Sequence, residues 1–145
     1  MMGGMSSLNL VPGTVVDEGP LWTVAVNRNQ GLIGKTMVIL NRPCEAVVDI
    51  GPAEWSALHA ELQRLVPALT DLFVPDQFNF AFLMNLDAQV HLHVIPRYAT
   101  ARQWRGLRFE DDHWGSAFGH EQRLLPPELL QHLAAEIRDR LSARI

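Results

Sequence analysis

Two histidines separated by one residue are the part of this sequence most suited to chemistry. His91 and His93 lie in the largely apolar run QVHLHVIPR, residues 89–97. Residues two apart on a β-strand point to the same side of the sheet, so a strand here would place Gln89, His91 and His93 on one face and apolar residues on the other. Imidazole changes protonation near neutral pH and can transfer protons, attack electrophiles or bind metal ions. The pair therefore predicts a catalytic or ligand-binding centre on one face of a sheet.

Two other interpretations of the histidine pair stay open. The residues could be polar groups on an exposed sheet face, although their position between apolar residues argues for partial burial, and buried imidazoles need hydrogen-bond partners. Metal binding is the rival chemistry, since His91 and His93 could ligate zinc with His113 or His120 as a third ligand. The spacing permits such a site but does not require it.

The elements that would position the histidines follow from apolar periodicity. Alternating or β-branched apolar runs predict strands at 21–27, 36–42, 78–85 and 89–96, and helical spacing predicts helices that begin near Pro52 and near Pro127. Pro67 should kink or end the first helix. Because helices do not alternate regularly with strands, we expect an α+β fold with an antiparallel sheet.

Size and composition predict one folded domain. A chain of 145 residues with 48% hydrophobic and 19% charged content is typical of a single globular domain, which we place at 13–145 after a flexible tail at 1–12. The net charge of −4 offers no broad positive field for nucleic acid, and no apolar run is long enough to span a bilayer. The one cysteine, Cys44, suits a reducing compartment, so we expect a cytoplasmic protein.

The segment 98–125 is long and shows no clear periodicity. Loops of this length are usually functional or disordered, and its aromatic residues argue against disorder. Its arginines and aromatics could bind a polyphosphate tail or a second nucleoside. The segment could equally be packed on the domain or on a dimer partner. The acidic residues 110–112 within it argue against binding of single-stranded nucleic acid.

The run 89–97 resembles the signature of the histidine-triad (HIT) superfamily of nucleotide hydrolases and transferases, in which three histidines alternate with apolar residues and Pro-Arg often follows. Val26-Asn27-Arg28 before a second strand led by Gly34 resembles the family's first hairpin, and Asn85 resembles an asparagine upstream of the motif. The resemblance extends over about residues 20–98. It implies a HIT-like α+β fold, with an antiparallel sheet of about five strands and two main helices.

The resemblance also implies an activity. It is that of a nucleotide hydrolase or nucleotidyl transferase acting on the α-phosphate of a nucleoside polyphosphate, a dinucleoside polyphosphate or a phosphoramidate. His91 aligns with the family's nucleophile, which forms a nucleotidyl-histidine intermediate, and His93 aligns with a histidine that contacts the phosphate or the leaving oxygen. In the family, a main-chain carbonyl near the first motif position, here around Gln89, holds one ring nitrogen of the nucleophile and leaves the other bare. The resemblance implies a homodimer and no metal or other cofactor.

Two positions depart from the family pattern. Gln89 replaces the first histidine and can form hydrogen bonds but cannot shuttle a proton, and Lys35 replaces a histidine that often follows the hairpin glycine. Lys35 could neutralise phosphate charge or be a solvated residue. Asn27 and Asn85 could hold the substrate, with Asn27 on the ribose hydroxyls as in the family, or they could be turn residues. The alternative function is therefore a nucleotide- or partner-binding module with little catalysis.

Overall fold

A five-stranded antiparallel sheet carries two helices on one face. The computed structural model describes residues 10–119 and 122–144. The sheet contains β1 (Val15–Glu18), β2 (Trp22–Val26), β3 (Thr36–Leu40), β4 (Gln77–Phe82) and β5 (His91–Arg97), in the order β1-β2-β3-β5-β4. The helices are α1 (Pro52–Phe73) and α2 (Pro127–Ala143), and a short 3₁₀ helix spans Val47–Asp49. The predicted α+β class is confirmed, with five strands in the sheet and two main helices.

The central strands bury one apolar face against the helices. Val24, Val38, Leu92 and Val94 belong to the main core and are at most 4% exposed. The opposite face of the same strands carries His91, which lies across from Ile39, and His93, which lies across from Met37. The sheet therefore holds the two histidines side by side on the face away from the helices, as the period-two pattern predicts.

Strand β5 is shorter at its start than predicted. It begins at His91 rather than at Gln89, because Gln89 and Val90 bond to other segments. The N–H of Val90 donates to the carbonyl of Cys44, and its carbonyl accepts from the N–H of Leu40. Residues 89–90 thus connect the end of β3 to the segment that follows it.

The first helix does not end at Pro67, which was one of the two outcomes predicted for this proline. Helix α1 continues through this proline to Phe73. Proline removes one intrahelical hydrogen bond, but Leu65, Ala68 and Leu69 on either side of it are fully buried. Their burial against the sheet stabilises the helix by more than that one bond, since each large aliphatic side chain contributes roughly 1.5–3 kcal/mol.

The lack of periodicity predicted a long loop at 98–125, but this segment contains regular structure. It contains a two-stranded hairpin of β6 (Arg102–Trp104) and β7 (Leu107–Phe109). Arg105 and Gly106 both have positive φ, as a two-residue hairpin turn of the primed type requires. Strands of three residues are too short for periodicity to reveal. Trp104 and Phe109 are buried in the main core, so the segment packs on the domain.

The start of the described chain also packs on the domain. Of the tail predicted at 1–12, residues 1–9 lie outside the described residues. Leu10 packs against Ala25, Met37 and Ile39 on the histidine face, and the carbonyl of Pro12 accepts a hydrogen bond from a residue of α2. Within the described residues, neither helix is both long enough and apolar enough to cross a membrane.

Candidate active site

The ring of His91 is held in a single tautomer by the main chain. Its Nδ1 lies 2.6 Å from the carbonyl oxygen of Gln89, and the residue is only 5% exposed. A carbonyl oxygen can only accept a hydrogen bond, so Nδ1 carries the hydrogen, and in the neutral ring Nε2 has a free lone pair. This is the hydrogen bond that the resemblance implied near position 89.

The ring of His93 is held in the other tautomer by a side chain. Nδ2 of Asn27 lies 3.4 Å from Nδ1 of His93, and Oδ1 of Asn27 accepts the N–H of Asn29 at 2.9 Å. The amide therefore turns its NH₂ group towards the ring, which accepts at Nδ1 and carries its hydrogen on Nε2. Burial lowers the pKa of His93 to about 4, with further lowering by the charges of His91 and Lys35, so the ring is neutral at pH 7.

The two rings place a nitrogen lone pair beside an N–H donor. Their centroids are 4.8 Å apart and their planes are inclined by 70°. His91 offers a bare nitrogen, and His93 offers an N–H. In a reaction that builds up negative charge, the bare nitrogen can attack the substrate while the N–H stabilises the charge that develops.

Both rings face a cavity of about 530 Å³. One wall is the segment that connects β4 to β5, and the other comes from the 98–125 segment. The remaining lining residues are Leu83, Met84, Asn85, Leu86, Asp87, Ala117 and Phe118. Asn85, a predicted substrate-binding residue, is thus at the cavity, and its side chain is exposed. Phe118 is one of the aromatic residues of the 98–125 segment for which the sequence analysis considered ligand binding, whereas no sequence signal marked Ala117, which lines the cavity only through the tertiary fold.

No protein-family model matches the chain, and no curated protein does. Among solved structures, a histidine triad protein from Marinobacter aquaeolei matches with a TM-score of 0.68 and 21% identity over 93% of each chain. One from Bradyrhizobium japonicum matches with a TM-score of 0.66 and 22% identity over 88% of this chain and 89% of that one. The chain has the histidine-triad fold. A third structure with this fold is Plasmodium falciparum diadenosine triphosphate hydrolase in complex with cyclomarin A, with a TM-score of 0.68, 14% identity and coverage of 92% and 79%.

Within this histidine-triad fold, the side chain of Gln89 contacts the main chain and not the cavity. Its Nε2 donates to the carbonyls of Leu40 and Arg42 at 2.8 and 2.9 Å, and its Oε1 accepts the N–H of Cys44 at 3.1 Å. All its polar atoms are engaged and the residue is 6% exposed. The side chain therefore fastens the main chain that carries the Gln89 carbonyl, the group that orients His91.

The turn between β2 and β3 is fixed by a buried glutamine that the sequence analysis missed. Gln30 is fully buried, and its Nε2 donates to the carbonyls of Asn27 and Lys35. Its Oε1 accepts the N–H of Gly34, whose φ is +91° and whose position would bring any Cβ to 2.9 Å from the ring of Phe73. These bonds fix both ends of the turn, where the predicted substrate-binding residues Asn27 and Lys35 lie.

The sequence left open whether Asn27 binds the substrate or forms a turn. Asn27 does form a turn, because its Oδ1 accepts the N–H of Asn29. Lys35 lies outside the histidine cavity and lines a neighbouring one of about 270 Å³. Burial lowers the pKa of its ammonium group. Thus the structure places Asn27 against His93, Asn85 at the cavity, and Lys35 next to it.

A buried ion pair supports the wall formed by the 98–125 segment. Arg97 and Asp111 form two hydrogen bonds, at 2.6 and 3.0 Å, and their side chains are 3% and 2% exposed. Arg97 also donates to Asn79 Oδ1 and to the carbonyls of His113 and Ser116. Burial pushes the pKa of Asp111 upward, but hydrogen bonds from Arg97 and from two main-chain N–H groups leave it lowered. The pair thus anchors the chain immediately before the cavity wall at 117–118.

The part of the chain that the structure describes contains no ligand set for the alternative metal site. No three side chains of His, Cys, Asp or Glu come together there as possible ligands, so His113 does not complete a set with His91 and His93. The other proposed third ligand, His120, lies outside the described residues.

Proposed function

We propose that this protein is a nucleotide hydrolase or nucleotidyl transferase acting on the α-phosphate of a nucleoside polyphosphate, a dinucleoside polyphosphate or a phosphoramidate. The observation that carries the proposal is the bond from His91 Nδ1 to the Gln89 carbonyl, which leaves Nε2 bare beside a cavity. The histidine-triad fold, and the hydrolase activity named for the Plasmodium neighbour, support the proposal.

In the proposed reaction, Nε2 of His91 attacks the α-phosphorus and the bond to the leaving group breaks. The carbonyl of Gln89 stabilises the positive charge that develops on the ring. Nε2–H of His93 donates to a phosphate oxygen or to the leaving atom, a contribution of a few kcal/mol for one well-placed donor. Water or another acceptor then attacks the phosphorus and releases the nucleotide from His91. The step uses no cofactor, because the nucleophile is an imidazole side chain of the protein itself.

Two asparagines complete the proposed site. Asn85 would contact the phosphate or ribose from the cavity rim, where its side chain is exposed. Asn27 would offer its second amide hydrogen to a ribose hydroxyl while the first faces His93. In this scheme Gln89 acts through its main-chain carbonyl, and His93 acts through its ring N–H. We therefore expect Gln89→Ala and His93→Ala to lower the activity less than His91→Ala does.

The variant that tests the proposal is His91→Ala. Diadenosine triphosphate and adenosine phosphoramidate are incubated with wild-type protein and variant, with and without chelator, and release of AMP is measured. We expect AMP release by the wild type in both conditions and a loss of about a thousandfold or more in the variant, because the nucleophile is absent. His59→Ala is the matched control, since His59 is exposed on α1. Activity within a few-fold of wild type in a folded His91→Ala protein refutes the assignment.

A denaturing quench at alkaline pH, where a nucleotidyl-histidine bond survives, separates the proposed enzyme from its alternative. A nucleotidyl group should be found by peptide mass spectrometry on His91, and a location on any other residue contradicts the mechanism. Nucleotide binding with no release of monophosphate from any substrate would favour the binding module. AMP release that chelator abolishes would favour a metal-dependent reaction.

We also propose a cytoplasmic homodimer that forms through β4. This strand is an edge of the sheet, and it leaves a row of main-chain groups available for pairing. Phe80 on β4 is 49% exposed, and Leu83 and Leu86 beyond it are 42% and 103% exposed. Two copies related by a two-fold axis would join their β4 edges as an antiparallel pair and cover these side chains. The buried free thiol of Cys44 suits a reducing compartment.

A further inference from the structure

A second cavity adjoins the histidine cavity and shares its Phe118 wall. It has a volume of about 270 Å³ and is lined in part by Lys35 and Ile95. Thr36 pairs with Val94 and Met37 with His93, so Lys35 and Ile95 lie one step beyond His93 on the same sheet face. Residues two apart on a strand are separated by roughly 7 Å. A ligand bound at the histidines and extended along β5 would therefore reach this second cavity.

The charges around this cavity favour an anion. The side-chain ammonium group of Lys35 forms no hydrogen bond or ion pair within the described residues, although burial lowers its pKa. Burying a charge without a partner is unfavourable, and an anionic ligand would supply the missing partner. Lys35 is also the only lysine of the sequence.

Arg123 provides a second cation. Its guanidinium lies 4.3 Å above the ring of Phe109 and donates to the carbonyl of Arg108, and it forms no ion pair within the described residues. This stacking holds the group in place at the cavity.

The acidic side chains at this cavity are mostly neutralised. Glu110 pairs with Arg108, and Asp111 with Arg97, which leaves Asp112 as the lining carboxylate without an ion pair in the described residues. Two unpaired cations therefore face one unpaired carboxylate, and the balance is positive.

We propose that Lys35 and Arg123 form an anion subsite that binds the leaving group, and that this subsite selects substrates in which the leaving group carries phosphate. The inference rests on the proposed function. As Nε2 of His91 bonds to the α-phosphorus, the bond from phosphorus to the bridging oxygen breaks, and its electron pair stays on the departing phosphate. The subsite stabilises the negative charge that gathers there. An amine leaving group gains no such stabilisation, because it needs a proton rather than a cation.

A pair of substrates with the same AMP moiety tests the selectivity. Diadenosine triphosphate has an anionic leaving group, whereas adenosine phosphoramidate releases ammonia. We expect Lys35→Met to lower kcat/KM for diadenosine triphosphate by about tenfold or more, the equivalent of about 1.4 kcal/mol, and to change the phosphoramidate rate less than twofold. Lys35→Arg should restore most of the loss. Arg144→Met is the matched control, because it removes the same charge at the far end of α2, where Arg144 pairs with Asp71.

A binding measurement tests the subsite without turnover. Inorganic pyrophosphate should protect Lys35 from an amine-specific reagent, with modification read by peptide mass spectrometry, and its binding measured by calorimetry should weaken about tenfold in Lys35→Met but not in Arg144→Met. Absence of protection in the wild type overturns the subsite. If AMP is released from both substrates and Lys35→Met slows both equally, the subsite fails while the proposed function stands. If neither substrate releases AMP, the proposed function and the leaving-group role fail, and the pyrophosphate result alone decides whether an anion subsite exists.

Discussion

His91 and His93 are the same residue type, two positions apart on one strand, yet their hydrogen-bond partners assign them opposite tautomers. A main-chain carbonyl accepts from Nδ1 of His91, whereas the amide of Asn27 donates to Nδ1 of His93. The ring nitrogens that remain therefore differ, with a lone pair on one and an N–H on the other. At this scale the role of each histidine follows from one neighbouring polar atom.

The burial of His93 predicts how this ring titrates. Its pKa of about 4 means that the folded protein binds fewer protons at this site than the unfolded chain between about pH 4 and pH 6.5. His93 should therefore reduce the free energy of unfolding as the pH falls through this window, with no such loss above it. Long-range ¹H–¹⁵N NMR should show an Nε2–H tautomer and a midpoint near pH 4.

The matched variant for this titration is Asn27→Asp, which places a carboxylate against Nδ1 of His93. The carboxylate should raise the pKa of His93 and move a hydrogen to Nδ1, because it accepts where the amide donated. A midpoint near pH 6.5 in the wild type would show that burial does not lower the pKa of His93. No change in the variant would show that the Asn27 contact does not control this ring.

At the scale of elements, the end of β5 is joined to the 98–125 segment by a single buried cation. Arg97 reaches Asp111 and two main-chain carbonyls of that segment, and the chain then runs directly into Ala117 and Phe118 at the cavity. The ion pair thus holds this part of the segment, in addition to the packing of Trp104 and Phe109 in the core. The strand that carries the histidines therefore also positions the opposite side of their cavity.

We expect Asp111→Asn to lower the free energy of unfolding in urea by about 3–5 kcal/mol, since it leaves the buried guanidinium of Arg97 without a counter-charge. The matched control is Glu110→Gln, one position away. It removes the same charge from a pair whose side chains are 61% and 56% exposed and should change stability by less than about 1 kcal/mol. Equal, small effects of the two variants would mean that the Arg97–Asp111 pair does not support the segment.

At the scale of the whole molecule, the sheet has two edge strands, β1 and β4, and large apolar side chains are exposed along and beyond β4. Phe80 stacks on Phe78 with centroids 6.2 Å apart, and Trp55 of α1 packs edge-on against Phe82 at 6.0 Å. The segment after β4 forms a wall of the histidine cavity, so a partner on this edge would lie close to the site.

Light scattering coupled to size exclusion tests the proposed dimer. The wild type should have twice the 16.3 kDa mass of the chain, and Phe80→Lys should shift it towards the monomer, because a charge on the paired edges opposes association. Val48→Lys is the control, since Val48 is 89% exposed in the short 3₁₀ helix. A monomeric wild type, or a dimer that Phe80→Lys leaves intact, contradicts pairing through β4.

Local sequence pattern predicted the strands β2 to β5, the helix starts and the shared face of His91 and His93, but it did not predict β1. Period-two and helical spacing act through neighbours in the chain, and these are visible in a sequence. The pattern did not settle whether the helix continues past Pro67, where burial on both sides outweighs one lost bond, and it missed β6 and β7, which are too short to show a period.

The family resemblance implied the carbonyl that faces Nδ1 of His91, whereas only the tertiary structure showed that Asn27 faces Nδ1 of His93 and which residues close the cavity. Gln89 occupies a motif position, yet its side chain bonds to main-chain groups more than 40 residues away in the sequence. Lys35 likewise lines a separate cavity with Arg123 because the fold brings distant segments together. Hydrogen bonds and burial depend on distance in space, which spacing along the chain does not specify, so the roles of these residues could be derived only from the folded molecule.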